Sequence, residues 1–371
     1  MAVPLTLPFP AMYNSAVAGR PAAHRKTGGV YSMKRFARRA LPALALLLLL
    51  ATAAARADAS HTFFAMDTVM TVTVPDANSA LLTACEEEVR RLEALFSVTD
   101  EASEIARLNA AGKAALSDET AAVLRFALDM GDKTGGALDV TLYPVVRAWG
   151  FTTAAGDYRV PDDDELAALT ALVDWRQVAL EGAEASLPEG AMVDLGAVVK
   201  GYASDRLAAL LREGGTGSAL IDLGGNICCV GAKQNGKAWR IGIRDPKDTS
   251  GFVGALSVTD KAVVTSGSYE RFFTAEDGAV YGHIFDPATG RPADSGVISA
   301  TVVGENGMLC DALSTALYVM GVEKAGELLK TIDGVDAVLV DEDGVLWITR
   351  GLKDAFTPMG AYAWAAVRYL D

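Results

Sequence analysis

The run from Asp194 to Gly231, DLGAVVKGYASDRLAALLREGGTGSALIDLGGNICCVG, narrows the folds open to this chain more than any other stretch. Ala191 to Val193 make a short apolar approach, after which Val199, Ala203, Leu207 and Leu210 or Leu211 recur at helical spacing. Gly214 and Gly215 stop that helix, as glycine past a last turn does. Ala219 to Leu223 then reads as a buried strand that breaks at Gly224-Gly225-Asn226. The pattern predicts strand, helix, strand, with Asp194 and Lys200 at the helix start and a glycine turn one short crossover away. Backbone N–H groups at such a start, with a lysine one turn in, suit a phosphate-bearing ligand. An ordinary strand–helix–strand unit with a salt-bridged lysine satisfies the same pattern.

Upstream, residues 1–57 hold eight basic residues and no acidic ones. Lys34, Arg35, Arg38 and Arg39 precede the apolar run from Ala40 to Ala55, and Ala55-Arg56-Ala57 supplies a small-x-small cleavage site. At about 16 residues the run is short for a membrane span, which needs about 20. No cysteine follows the cut, so a lipoprotein anchor is not indicated. Residues 1–57 therefore read as a leader and signal peptide, with Met33 an alternative start, and 58–371 as the folded domain. The expectation is an exported protein, in the periplasm or on the periplasmic face of the inner membrane. Without the eight leader bases the chain carries 25 basic against 47 acidic residues, a net −22, which makes nucleic acid and anionic lipid poor partners. Cys85, Cys228, Cys229 and Cys310 remain. Export would permit a disulfide, but Cys85 falls on the apolar side of a predicted helix, Cys228-Cys229 in a strand, and no CxxC spacing occurs; all four read as core residues.

Along the body, His61 to Val74 alternates as a first strand, and Asn78 caps a helix running to about Phe96 with Leu81, Leu82, Cys85, Val89, Leu92 and Leu95 as its buried stripe. A second helix spans roughly Asp118 to Thr134 and leads to a tight turn at Gly135, Gly136 and Asp139. An acidic helix near Asp162 to Leu172 and short strands follow. Strands are expected at Trp239 to Arg244, Ala262 to Ser266 and Val297 to Val303, with a helix from Met308 to Met320 closed by Gly321 and a further helix to about Ile332. A hairpin, Ala337 to Asp341 and Val345 to Thr349, comes last. Helices and strands alternate without a strict rhythm, which favours a mixed α+β domain over a doubly wound sheet.

Of three histidines, His24 lies in the leader, His61 near the start of the body, and His283 in YGHIFDPATGRP. His283 suits proton transfer near neutrality, or caps the turn that follows, or packs on Tyr281. One body histidine excludes a three-histidine metal site. In CDALSTAL, Asp311 and Thr315 stand four apart on a predicted helix and point the same way. Two hard oxygens with room for water fit magnesium, although the spacing also arises by chance. There is no P-loop, no GxSxG elbow and no GxGxxG after the first strand, and Ser266-Gly267-Ser268 is too common a string to name a nucleophile.

Taken in order, AMDTVMTV, SEIARLN, GGALDVTLYPVVRAWGF, DLGAVVKGYASDRL, LIDLGGNI, TSGSYERFF, YGHIFDPATGRP and DALSTAL resemble the ApbE family of FAD:protein FMN transferases, from about Phe63 to the C-terminus. The resemblance implies the ApbE-type fold, T-fold-like helices on a mixed sheet. It implies an exported magnesium enzyme that splits FAD, places FMN by a phosphoester on a Thr or Ser of a partner protein, and releases AMP; such partners are subunits of membrane redox complexes, so peripheral inner-membrane association is expected. It also implies FAD contacts at Met66, Ala137, Leu138, Asp139, Asp194, Lys200 and Ile284. Magnesium would sit on Asp311, Thr315 and the carbonyl of Ala197, with Met308 a further carbonyl candidate, and His283 would move the proton. Two departures stand out: Ser97-Val98-Thr99 lacks the family's usual aromatic, and Cys310 replaces a small alanine. No acceptor motif within the chain suggests self-flavinylation. A periplasmic FAD pyrophosphatase giving FMN and AMP, and a non-catalytic flavin binder, are the competing readings.

Overall fold

The computed structural model describes residues 58–75, 78–152 and 157–370; the expected leader and signal peptide, residues 1–57, lie outside them. The frame is a nine-stranded sheet: β1 (Ala59–Ala65), β2 (Thr68–Val74), β3 (Ala219–Asp222), β4 (Asn226–Val230), β5 (Ala262–Ser266), β6 (Val297–Gly304), β7 (Val335–Asp341), β8 (Leu346–Ile348) and β9 (Val367–Tyr369). Their order across the sheet is their order in the chain. Neighbours are antiparallel except β8 and β9, which run parallel. The sheet is thus mixed, and the domain is α+β.

Helices α1 (Ser79–Phe96), α2 (Asp118–Lys133), α3 (Gly196–Glu213) and α4 (Gly307–Leu329) pack together with one face of the sheet. Along β4 the alternation is visible in what each side chain meets: Cys228 and Val230 join the helix-side core, Cys229 the opposite one. That second core is closed by a three-stranded sheet of Trp239–Arg244, Phe252–Val258 and Phe356–Pro358, through Ile241, Ile243, Val253 and Leu256. With both faces covered, β6 (VISATVVG) is buried on seven of its eight residues.

Caps fall where short polar side chains can reach free N–H groups. Asn78 accepts from the N–H of Leu81 at 3.2 Å, and Asn306 from that of Leu309 at 2.7 Å. The expected break at Gly321 is present as a kink (φ 76°, ψ 172°) that joins the two halves of α4. The first expected strand, His61 to Val74, is in fact the β1–β2 hairpin, turned at Met66 and Asp67, both with positive φ (47° and 58°). Met-Asp lacks the glycine or asparagine that usually marks such a turn, so the alternation runs through it unbroken. The strand Phe252–Val258 was not expected either; its pattern is buried on four consecutive residues and gives no period of two. All four cysteines are buried and unpaired, as their patterns suggested.

Candidate active site

The site forms where α3 and α4 cross. Gly201 makes the crossing possible: a Cβ there would lie 2.3 Å from the carbonyl oxygen of Gly307 and 2.7 Å from the Asp311 Cβ. Asp205 on α3 fastens the start of α4, accepting from the N–H groups of Gly307 (2.7 Å) and Met308 (3.0 Å). This close approach lets the Gly201 N–H donate to Oδ2 of Asp311 at 2.8 Å. An α-helix aims that same N–H at the carbonyl four residues back, which is Ala197. Asp311 therefore draws on the donor that would otherwise satisfy the Ala197 oxygen.

Asp194 stands just before α3, accepting from the N–H of Gly196 at 2.8 Å. Its own N–H donates to the carbonyl of Val140 at 2.8 Å, so the Ala137-Leu138-Asp139 turn runs alongside. Asn109 clamps the approach from both sides, donating to the carbonyl of Val193 (2.8 Å) and accepting from its N–H (2.7 Å). Burial raises the pKa of Asp194, opposed by the Gly196 N–H and the charges of Lys200 and Arg271. Burial likewise raises Asp311, opposed first by Lys200. The Lys200 charge thus acts on Asp194, on Asp311 and on His283. Lys200 and Arg271 form a local cationic pole in a strongly acidic protein, which suits a diphosphate.

His283 follows the hairpin of Phe272–Thr274 and Val280–Gly282. Its backbone N–H (3.1 Å) and ring Nδ1 (3.0 Å) both meet the carbonyl oxygen of Arg271. A carbonyl only accepts, so Nδ1 carries the proton and Nε2 of the neutral ring holds the lone pair. Burial, with Lys200 and Arg271 adding to it, pushes the His283 pKa down to about 4. Behind it, Trp149, Phe151, Phe273, Tyr281 and Phe285 stack into a small aromatic core, and Trp149 Nε1 donates to the carbonyl of Gly290 at 2.8 Å, pinning the turn beyond His283.

The expected residues are brought together unevenly. Asp194, Ala197, Lys200 and Asp311 gather at the start of α3, and the charge of Lys200 reaches His283. Thr315 is tied to Ser266 of β5 (Oγ–Oγ1 3.3 Å), itself bonded to Ser314 at 2.8 Å. Asp139 is turned inward: its carboxylate accepts from the N–H (2.8 Å) and hydroxyl (2.6 Å) of Thr141 and from the N–H of Trp175 (3.3 Å), so it shapes its turn. Met66 sits at the β1–β2 turn, its N–H bonded to Oε1 of Glu93 at 2.6 Å; that hairpin abuts the glycine turn, for a Cβ on Gly224 would strike the Thr68 hydroxyl at 2.2 Å. Ile284 is buried in the helix-side core.

Sequence reasoning passed over Arg271, Gly201, Ser266 and Asn226 as functional residues. Asn226 is 1% exposed, and neither its Oδ1 nor its Nδ2 has a hydrogen-bond partner. Its place directly after Gly224-Gly225 was the available signal. Among the described residues no three His, Cys, Asp or Glu side chains form a metal cluster; the expected set uses one carboxylate, one hydroxyl and a carbonyl. The residues present suit a hard cation of that kind: Asp311 is 4% exposed and its carboxylate accepts from the Gly201 N–H, the Ala197 carbonyl competes for its helical donor, and an orphaned amide opens on the same side of the sheet.

Comparison with known proteins points to one family. The model of the ApbE family matches residues 66–339. The chain is 39% identical over 289 residues to a FAD:protein FMN transferase of Treponema pallidum, covering 72% of this chain and 78% of that one. A protein of the same name from Vibrio cholerae is 34% identical over 297 residues, covering 76% and 88%. The crystal structure of the ApbE protein of Thermotoga maritima superposes with a TM-score of 0.76 at 29% identity, covering 81% of this chain and 99% of that one. The flavin transferase ApbE of Vibrio cholerae gives 0.71 at 29% identity, covering 81% and 100%.

Proposed function

The chain belongs to the ApbE family, and from that premise we propose that it is a magnesium-dependent FAD:protein FMN transferase. In the proposed reaction a Thr or Ser hydroxyl oxygen of an acceptor protein attacks the FMN-side phosphorus of FAD. The P–O bond to the AMP half breaks, a phosphoester to the acceptor forms, and AMP leaves. Nε2 of His283 takes the hydroxyl proton, its lone pair free because Nδ1–H is committed to Arg271. Lys200 faces the diphosphate's charge, supported by Arg271, while Met66, Asp194 and the main chain of the Ala137-Leu138-Asp139 turn border the flavin nucleotide, the Asp139 carboxylate holding that turn and buried Ile284 backing the site from the core. Asp311, Thr315 and the Ala197 carbonyl would hold magnesium, which when bound offsets diphosphate charge and polarises the reacting phosphorus.

The observation that carries this reading is a neutral histidine held by a main-chain carbonyl within the field of Lys200, which also acts on both site carboxylates. The acceptor is proposed to be a subunit of a membrane redox complex. Residues 1–57 are proposed to export the domain 58–371 to the periplasm, where it associates peripherally with the inner membrane. No helix among the described residues is long and apolar enough to cross a membrane.

The test uses purified protein, FAD and magnesium, with a redox-subunit fragment bearing a candidate acceptor threonine. A magnesium-dependent fluorescent band on the fragment, matched by AMP release, is the expected result. AMP and free FMN without a labelled band, across several acceptor fragments, would replace the transferase by a pyrophosphatase. Bound FAD with no product would leave a flavin binder.

A further inference from the structure

Asn226 presents a buried amide with nothing to bond. It opens β4 on the helix-facing side of the sheet, and its main-chain carbonyl accepts from the N–H of Leu223 at 2.9 Å, closing the Gly224-Gly225 turn. Asp222 Oδ1 braces that turn by accepting from both glycine N–H groups at 3.1 and 3.2 Å. The side chain is 1% exposed, yet both Oδ1 and Nδ2 stand without a partner. Exchanging the two amide atoms would not help, since neither position is satisfied. A leucine, branched alike but without polar atoms, would avoid the penalty of a buried unsatisfied amide. The amide is directed toward Asp311 without closing a hydrogen bond of ordinary geometry.

Resting on the metal site read above, we propose that Asn226 is a positioning residue: its carboxamide orients the Asp311 carboxylate toward a hydrated divalent cation and is satisfied only when that cation is held. The chemistry matches at both ends. Nδ2 donates to the carboxylate, and Oδ1 accepts from the hydration water that a magnesium ion retains. Partners of this kind around a metal ligand typically change metal affinity about 10–100-fold when removed.

The test reads thermal unfolding of the full chain in chelator and through a magnesium titration, in parent, Asn226→Leu, Asn226→Ala and Asp311→Ala proteins. Asn226→Leu should melt above the parent in chelator, because an orphaned amide is gone. Its magnesium-induced shift should shrink, with half-saturation moved roughly tenfold or more to higher magnesium. Asn226→Ala should show the same weakened magnesium response even if the cavity lowers its melting point. FAD affinity in chelator should stay within about twofold of the parent, since Asn226 acts through the cation. Full magnesium response in either Asn226 variant, with the response lost in Asp311→Ala, overturns the positioning role and leaves the metal site standing. An unchanged response in Asp311→Ala overturns the metal site itself.

Discussion

His283 shows how a single side chain acquires a chemical role from its surroundings. Free histidine titrates near 6.5; here burial, Lys200 and Arg271 bring it to about 4, so the neutral base persists through the physiological range. Two outcomes follow. His283→Ala should lower kcat by roughly 10²–10⁴ while FAD affinity, measured by flavin fluorescence titration, changes little; equal losses in both would make the residue structural. The acid limb of kcat/KM, followed by AMP release between pH 4 and 8, should fall near pH 4 and not near 6.5. The stability consequence has a definite sign. The unfolded chain binds this proton first, so the contribution of neutral His283 is complete above pH 6.5 and is lost as pH falls toward 4. At this scale the sequence was informative where residue type was scarce: two histidines in the body, of which only His283 lies past the first strand, and Asp311 with Thr315 on a single helical face. It was silent on Asn226 and Arg271, because an orphaned amide and a carbonyl that sets a tautomer are properties of neighbours distant in the chain.

Among the elements, the α3–α4 crossing matters most, and it depends on a residue with no side chain. Gly201→Ala forces atoms apart at contacts of 2.3 and 2.7 Å; overpacking of this kind costs roughly 1–3 kcal/mol. Because Asp311 rides on the displaced helix, magnesium-dependent activity should fall further than the melting temperature predicts, and parallel titrations of activity and unfolding would show it. The β1–β2 turn offers the opposite case. Asp67 is exposed with φ 58°, and glycine adopts that conformation without steric cost. Asp67→Gly should stabilise by about 0.5 kcal/mol, seen as a small rise in denaturant midpoint; a fall would mean that the aspartate makes up the difference elsewhere. Helices were legible because stripe and cap agreed, as in α1 with Asn78 and its buried Leu82, Cys85, Val89 and Leu92. The hairpin was misread as one strand because alternation survives a two-residue turn whose positive φ values fall on Met and Asp. Phe252–Val258 was missed because a strand covered on both faces loses its period.

At the level of the whole molecule, strand order equal to chain order means that each strand of the main sheet finds its partner beside the one before it, with helices inserted between. The sequence indicated mixed α+β architecture through irregular alternation, but pairings between residues as remote as Val72 and Ile221 leave no local trace. The large acidic excess argued against nucleic acid and left the two cations of the site to be located by the fold. The fate of the four thiols follows from that same closed interior. Cys85, Cys228 and Cys229 are pushed up to about 11, 12 and 12 by burial, and Cys310 is raised as well. Nucleophilic attack needs the thiolate, so a disulfide reagent at pH 8 should label fewer than one thiol per native molecule and four after denaturation. Fast native labelling would contradict the packing. In oxidising surroundings such thiols are chemically silent while the core stays shut, so any sulfur–sulfur bond recovered from this protein dates from a moment when it was open.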